Sequence, residues 1–254
     1  MNKTRRIWGA SVVGLVLAAG ATACSAAGTS GSAQASASAS AVAPAQATSG
    51  AVNDPLAGQT PTQLVAKVKT DMLGLASVHS TAQITDGGKR VGWDFYEVPG
   101  RACRGTLSSG SDGNIGLIVK GDKAWVKLDE ATLKQVGGGS AVGMFKGKYL
   151  ATSSKNGQFS SLTDMCDLTR TLSQDMNDAT GLTRGGTTTE DGAPALKLTA
   201  PDGSLILISD TATPYLLSIT NTGSSAGTIR FDHFNQPVDI TPPPASQVAK
   251  IPGL

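Results

Sequence analysis

The sequence predicts an α+β domain built on an antiparallel sheet, and three observations predict it. Turn pairs recur along the chain: DGG at 86–88, DG at 112–113, GD at 121–122, DG at 191–192 and DG at 202–203. Such pairs supply the backbone that tight hairpins need. Between them lie short runs of β-branched and aliphatic residues, the rhythm of a meander. Two stretches break that rhythm with apolar residues at helical spacing.

The first of these is TPTQLVAKVKTDMLGLASV. Thr60 suits an N-cap and Pro61 the first helical position. Leu64, Val65, Val68, Met72 and Leu75 then share a face, so a helix is expected over 61–76, leading into a strand at 78–86. Strands follow at 90–98, 102–109, 114–121 and 123–128. From 129 to 181 the pattern loosens into loops and helices, and GGGS at 137–140 reads as a loop. SSLTDMCDLTRTLSQDM sets Leu162, Met165, Cys166, Thr169, Leu172 and Met176 on one stripe, with Ser161 and Asp164 approximating a capping box. Strands resume at 183–190, 195–200, 204–209, 215–221 and 228–234. LILI at 205–208 and LIV at 117–119 are apolar on both faces, which asks for cover on both sides or a greasy cavity. Pro242, Pro243 and Pro244 lack donors, so the end of the chain is expected to cross the sheet as an extended segment.

The N-terminus has the form of an export signal. Lys3, Arg5 and Arg6 precede an apolar run from Val12 to Ala19, and small residues lead to Cys24. That run is shorter than the roughly 20 residues a membrane span requires. Small residues directly before a cysteine resemble the bacterial lipoprotein lipobox, in which the thiol receives a diacylglycerol and becomes the first mature residue. Ala21 stands where that pattern usually has Leu. The alternative is an ordinary signal cleaved after ATA, with Cys24 idle. Two or more acyl chains make a stable anchor.

Residues 1–23 hold three basic side chains and no acidic ones, so the remainder has 18 Lys+Arg against 19 Asp+Glu. The basicity belongs to the signal, and nothing argues for a nucleic-acid partner. Residues 24–53 then form a lipidated cysteine and an uncharged Ala/Ser/Gly/Thr tether, unable to bury enough surface to order itself. One domain of about 200 residues is expected from 54 to 254, a size that supports a real core.

Cys103 falls in a strand and Cys166 on the apolar stripe of the late helix. In an exported chain the pair is expected to be oxidised, fastening helix to sheet. The alternatives are two separate buried thiols, or a redox pair, for which neither a CxxC nor an electropositive setting is present.

Cys24, the tether, an N-terminal helix, a meander interrupted by helices, and the ending PVDITPPPASQV together resemble the LolA/LppX-type envelope lipoproteins of high-GC Gram-positive bacteria. CRGTL and SLTDMCDL resemble a subgroup with one cysteine in each place. The resemblance covers residues 60–254. It implies a strongly curved antiparallel half-barrel with helices on the concave side, where several relatives hold acyl chains of a lipid or glycolipid and others are collapsed.

Catalytic chemistry is not evident. His79 and His233 each fall in a predicted strand, His233 on the face of Ile229 and Phe231, and local spacing supplies neither with metal-binding partners. No GxSxG elbow, P-loop or GxGxxG stands in its needed context. Asp164 and Asp167 suit a helix start. Trp125 alternates with Ala124 and Val126 as an outer-sheet residue. The expectation is a non-enzymatic, cofactor-free and metal-free monomer, lipid-anchored outside the cytoplasmic membrane, that carries an apolar ligand. The competing expectation is a fully packed half-barrel that binds another envelope protein through its convex face or residues 137–160.

Overall fold

A computed structural model describes residues 54–157, 159–176 and 179–249. The predicted signal, Cys24 and the tether lie outside the described residues. Helix α1 (Pro61–Leu73) begins with a capping box: the Thr60 hydroxyl accepts from the Gln63 N–H, and the Gln63 side chain accepts from the Thr60 N–H. It stops before residue 76 because Gly74 ends it, with its N–H returned to the Thr70 carbonyl. Leu64, Val65, Val68 and Met72 are buried on one face, and Leu75 stays buried beyond the helix end.

Eleven strands form one sheet. They are β1 (Val78–Asp86), β2 (Lys89–Val98), β3 (Ala102–Ser108), β4 (Asn114–Lys120), β5 (Lys123–Leu128), β6 (Leu150–Ser153), β7 (Thr183–Glu190), β8 (Ala193–Thr199), β9 (Leu205–Ser209), β10 (Leu216–Asn221) and β11 (Gly227–Asp232). Their order is β6-β5-β4-β3-β2-β1-β11-β10-β9-β8-β7, antiparallel at each step, with β6 and β7 as open edges. Two meanders therefore meet where β1 pairs with β11. On the outer face, Arg230 on β11 is ion-paired with Glu190 on β7.

Alternation gives the sheet an inner face, covered by helices, and an outer one. One inner row runs Leu198, Ile206, Ile219, Ile229, Ala82, Trp93, Leu107, Ile115 and Leu128, each paired with the next across nine strands. LILI is buried on both faces, as its pattern demands: Ile206 and Ile208 inside, Leu207 outside.

The middle of the chain, expected as loops and helices, holds the edge strand β6, and its helices also correct the sequence reading. GGGS is not a loop but part of helix α2 (Glu130–Phe145), which kinks at Gly138, where φ is +64°. Asp129 starts this helix by accepting from the Thr132 N–H, and Leu133 and Ala141 bury its inner side. Those gains outweigh glycine costs of about 1 kcal/mol each. The late stripe is not one helix. It divides into α3 (Ser160–Thr163), a 3-10 turn (Asp164–Cys166) and α4 (Leu168–Asp175). The break falls at Asp167, whose carboxylate caps α4 by accepting from the Arg170 N–H. The capping box expected at Ser161 and Asp164 does not form; Phe159 stands at the N-cap of α3, which has no side-chain cap.

After β11 the chain crosses the outer side without a strand. Lys120 donates to the Ile240 carbonyl, and Tyr149 exchanges backbone hydrogen bonds with Gln247 and Ala249 beside β6. Ile240, within this strap, is buried.

Candidate functional site

The inner face divides into two unequal halves. Over β1 and β8–β11, α1 and α4 close a cluster of nineteen buried apolar residues among those described, including Leu64, Met72, Leu168, Leu172, Leu198 and Ile208. Over β2–β5 the corresponding cluster has four: Phe95, Cys103, Leu117 and Val126. Around these, Trp93, Leu107, Ile115, Val119 and Leu128 of the sheet and Phe159, Leu162 and Met165 of the cover are only partly buried. The reason is local. A 4-residue helix and one 3-10 turn cannot present the continuous apolar stripe that a longer helix supplies. Trp93 touches both clusters and marks their boundary.

Two contacts pin the cover to this half. Cys103 on β3 and Cys166 at the end of the 3-10 turn lie sulfur to sulfur, with Cα atoms 5.6 Å apart, inside the range a disulfide accepts. Beside Cys103 in the register stands Glu97, 3 % exposed. Its carboxyl accepts from the Leu168 N–H at 3.1 Å, at the start of α4, and from the Ser80 hydroxyl at 3.4 Å. Burial pushes this carboxyl up to about 7, against the lowering effect of those two hydrogen bonds. Sequence reading missed Glu97; the one signal for it was a carboxylate on the same alternation as Trp93 and Phe95.

The outer face carries the two histidines, and the structure brings them together. His79 on β1 lies directly opposite Asp232 on β11 and Tyr96 on β2. Its Nδ1 is 2.6 Å from Asp232 Oδ1, its Nε2 is 3.0 Å from Asp94 Oδ1, and its ring stacks on Tyr96 at 4.2 Å. His233 does not sit in a strand on the face of Ile229 and Phe231, as expected. β11 ends at Asp232, and His233 takes a left-handed φ of +50°. The following turn is fixed to the start of β1, with Asn235 donating its N–H to the Ser77 carbonyl and accepting the Ala76 N–H on its side chain. His233 Nδ1 thereby reaches Asp232 Oδ1 at 2.5 Å. Although burial opposes it, hydrogen bonds from His233 and His79 hold the Asp232 carboxyl below its usual range.

Trp125 lies on the outer face as expected, but at 9 % exposed it is covered rather than displayed. Beside it, Tyr96, Arg104, Ile118, Lys127 and Tyr149 line an outer groove of about 620 Å³. Asp167 caps α4, and Asp164 pairs with Arg170. Both carboxylates are engaged structurally.

No family model matches the chain, and no curated protein matches it. Solved structures similar to it include LprF from Mycobacterium bovis, 14 % identical, covering 72 % of this chain and 96 % of that one at a TM-score of 0.48. The lipoprotein LppX of Mycobacterium tuberculosis is 19 % identical over 71 % of this chain and 98 % of that one, with a TM-score of 0.45. An uncharacterized conserved protein from Thermus thermophilus is 13 % identical over 75 % and 98 %, with a TM-score of 0.39. These are likenesses of fold alone. Among the described residues no helix is long and apolar enough to cross a membrane.

Proposed function

We propose that this chain is a lipid-anchored protein of the outer surface of the cytoplasmic membrane, and that it holds an apolar chain, of a lipid or glycolipid, against the inner face of β2–β5. The observation that carries this reading is the thin cover of that half. Trp93, Leu107, Ile115, Val119 and Leu128 form an apolar floor that the α3 segment only partly covers. A floor of that kind gains from a guest: each methylene removed from water contributes about 0.8 kcal/mol. The chemistry is burial and release, with no covalent step. Cys24, acylated, would hold the protein at the bilayer, and the tether, a coil reaching roughly 30 Å, would set how far the domain travels. A Cys103–Cys166 disulfide would keep the cover attached while its apolar residues part.

Native mass spectrometry of the protein, purified gently from membranes, tests the reading. A co-purifying lipid of defined mass, or saturable uptake of a fluorescent fatty acid, is expected. An empty protein that ignores added fatty acids contradicts it. Replacing Cys24 with Ala is expected to move the protein from the membrane fraction to the medium. A second reading, a protein-binding module, is favoured by features away from the apolar floor: the outer groove, and Val136 and Met144 on α2, 67 % and 63 % exposed.

A further inference from the structure

We infer that His79, Asp232 and His233 form a binding site for a Zn2+-like transition-metal dication on the outer face, separate from the apolar floor. The three side chains offer one ligand atom each, all within 4.8 Å of one another. Two imidazoles and a carboxylate are a donor set that such ions accept, with a fourth position left to water or an outside ligand.

The surroundings of His79 suit a cation there. Both its ring nitrogens face carboxylate oxygens, Nδ1 toward Asp232 and Nε2 toward Asp94. A neutral imidazole carries one N–H. With a metal on Nδ1, that N–H lies on Nε2 and is donated to Asp94, while His233 Nδ1 approaches the same Asp232 oxygen. A metal ion at that convergence would take the place of the protons that the two Nδ1 atoms share with Asp232, each imidazole then coordinating through its lone pair. Asp94 then plays the part that carboxylates usually play behind metal-bound histidines, fixing the tautomer and the ring orientation through the far N–H. Tyr96 stacks on the same ring and restricts its rotation.

The fold supplies the rigidity and the access the site needs. His79 is held between paired strands and is nearly buried, with 10 % of its side chain exposed. Asp232 and His233 are about half exposed, 47 % and 48 %, so an ion can enter from solvent. Ligand atoms around a tetrahedral zinc ion lie about 3.3 Å apart, given bonds of roughly 2.0–2.1 Å. The nitrogen–oxygen separations of 2.5 and 2.6 Å would therefore widen by a modest rotation of the Asp232 carboxylate. The left-handed backbone at His233 is what turns its ring back toward Asp232, and the Asn235 anchor holds that turn.

The test is a calorimetric titration of the tag-free, chelator-treated full chain with ZnCl2 in a non-coordinating buffer near pH 7.5. One saturable equivalent is expected, with a rise in melting temperature on zinc addition. Asp94→Asn is expected to weaken zinc binding 10- to 100-fold, and His233→Ala, at an exposed position beyond the strand, by at least as much. Circular dichroism confirms that both variants remain folded. A protein that shows no saturable zinc binding, or one whose affinity is unchanged in His233→Ala and Asp94→Asn, overturns the inference.

Discussion

The two halves of the inner face differ in cover although their floors are alike. Leu198 and Leu128 stand near opposite ends of one continuous apolar row, yet Leu198 is fully buried under the α1/α4 side and Leu128 is only partly covered. The β strands on both sides alternate in the same way. What differs is the lid. Thirteen residues of α1 and eight of α4 close one cluster. The cover residues packed on the other come from the four-residue α3, Phe159 before it and a 3-10 turn, with α2 reaching β4 and β5 but adding no described residue to that cluster. The first half is closed by its own helices, and the second keeps partly exposed apolar residues under a short cover.

The largest effect expected from disturbing this comparison concerns the cover's attachment. A Cys103–Cys166 bridge closes a loop with a sequence separation of 63, which on loop entropy is worth about 4 kcal/mol. Replacing both cysteines by serine is expected to lower denaturant stability by that order, and peptide mapping without reductant should recover the two residues linked. Finding both thiols free removes the bridge from the account. Next, Leu198→Ala should cost about 3–4 kcal/mol, as buried leucine truncations do, while Leu128→Ala should cost about 1 kcal/mol because much of its transfer is already incomplete. Equal losses would mean that the two halves are equally packed.

Glu97 sharpens the comparison at the boundary between the halves. Its folded pKa, about 7, lies above the ordinary 4.5, so between those values the folded state retains a proton that the unfolded chain has released. Stability from this group is therefore complete below about pH 4.5 and is lost as pH rises through 7, by up to about 3 kcal/mol. The ionised form would stand near Asp167 and would have only the Ser80 hydroxyl and the Leu168 N–H to support it. Glu97→Gln is expected to flatten that pH dependence and to be more stable than the parent at pH 8, measured by urea unfolding across the range. A parent with flat stability from pH 5 to 8 contradicts this assignment. A further effect is in ligand series: lengthening a bound acyl chain by two carbons should tighten binding roughly tenfold, since each methylene adds about 0.8 kcal/mol.

Local signals were sufficient for much of the architecture. The Thr60/Gln63 cap, the α1 stripe and the turn pairs between strands each reside within a few residues; they place the start of α1 and most strands within a residue or two, while Gly74 ends α1 three residues early. Helix α2 was hidden because three consecutive glycines read as a breaker, whereas the Asp129 cap and the burial of Leu133 and Ala141 decide it. The late helix was read as continuous because its apolar stripe survives the break at Asp167. The histidine cluster could not be seen locally at all: His79 and Asp232 meet through β1–β11 register across a separation of 153 residues. The unequal cover of the inner face is likewise a property of packing, since the floor residues of the two halves have the same pattern.

The most direct test of the central claim uses two of the three tryptophans as opposed reporters, Trp93 on the inner floor and Trp125 covered on the outer face. Brominated fatty acids added to the purified protein should quench Trp93 emission saturably, and Trp93→Phe should abolish that saturable component while Trp125 emission persists. Quenching that falls on Trp125 instead, or no saturable quenching in the parent protein, would show that the inner face of β2–β5 does not receive an apolar chain.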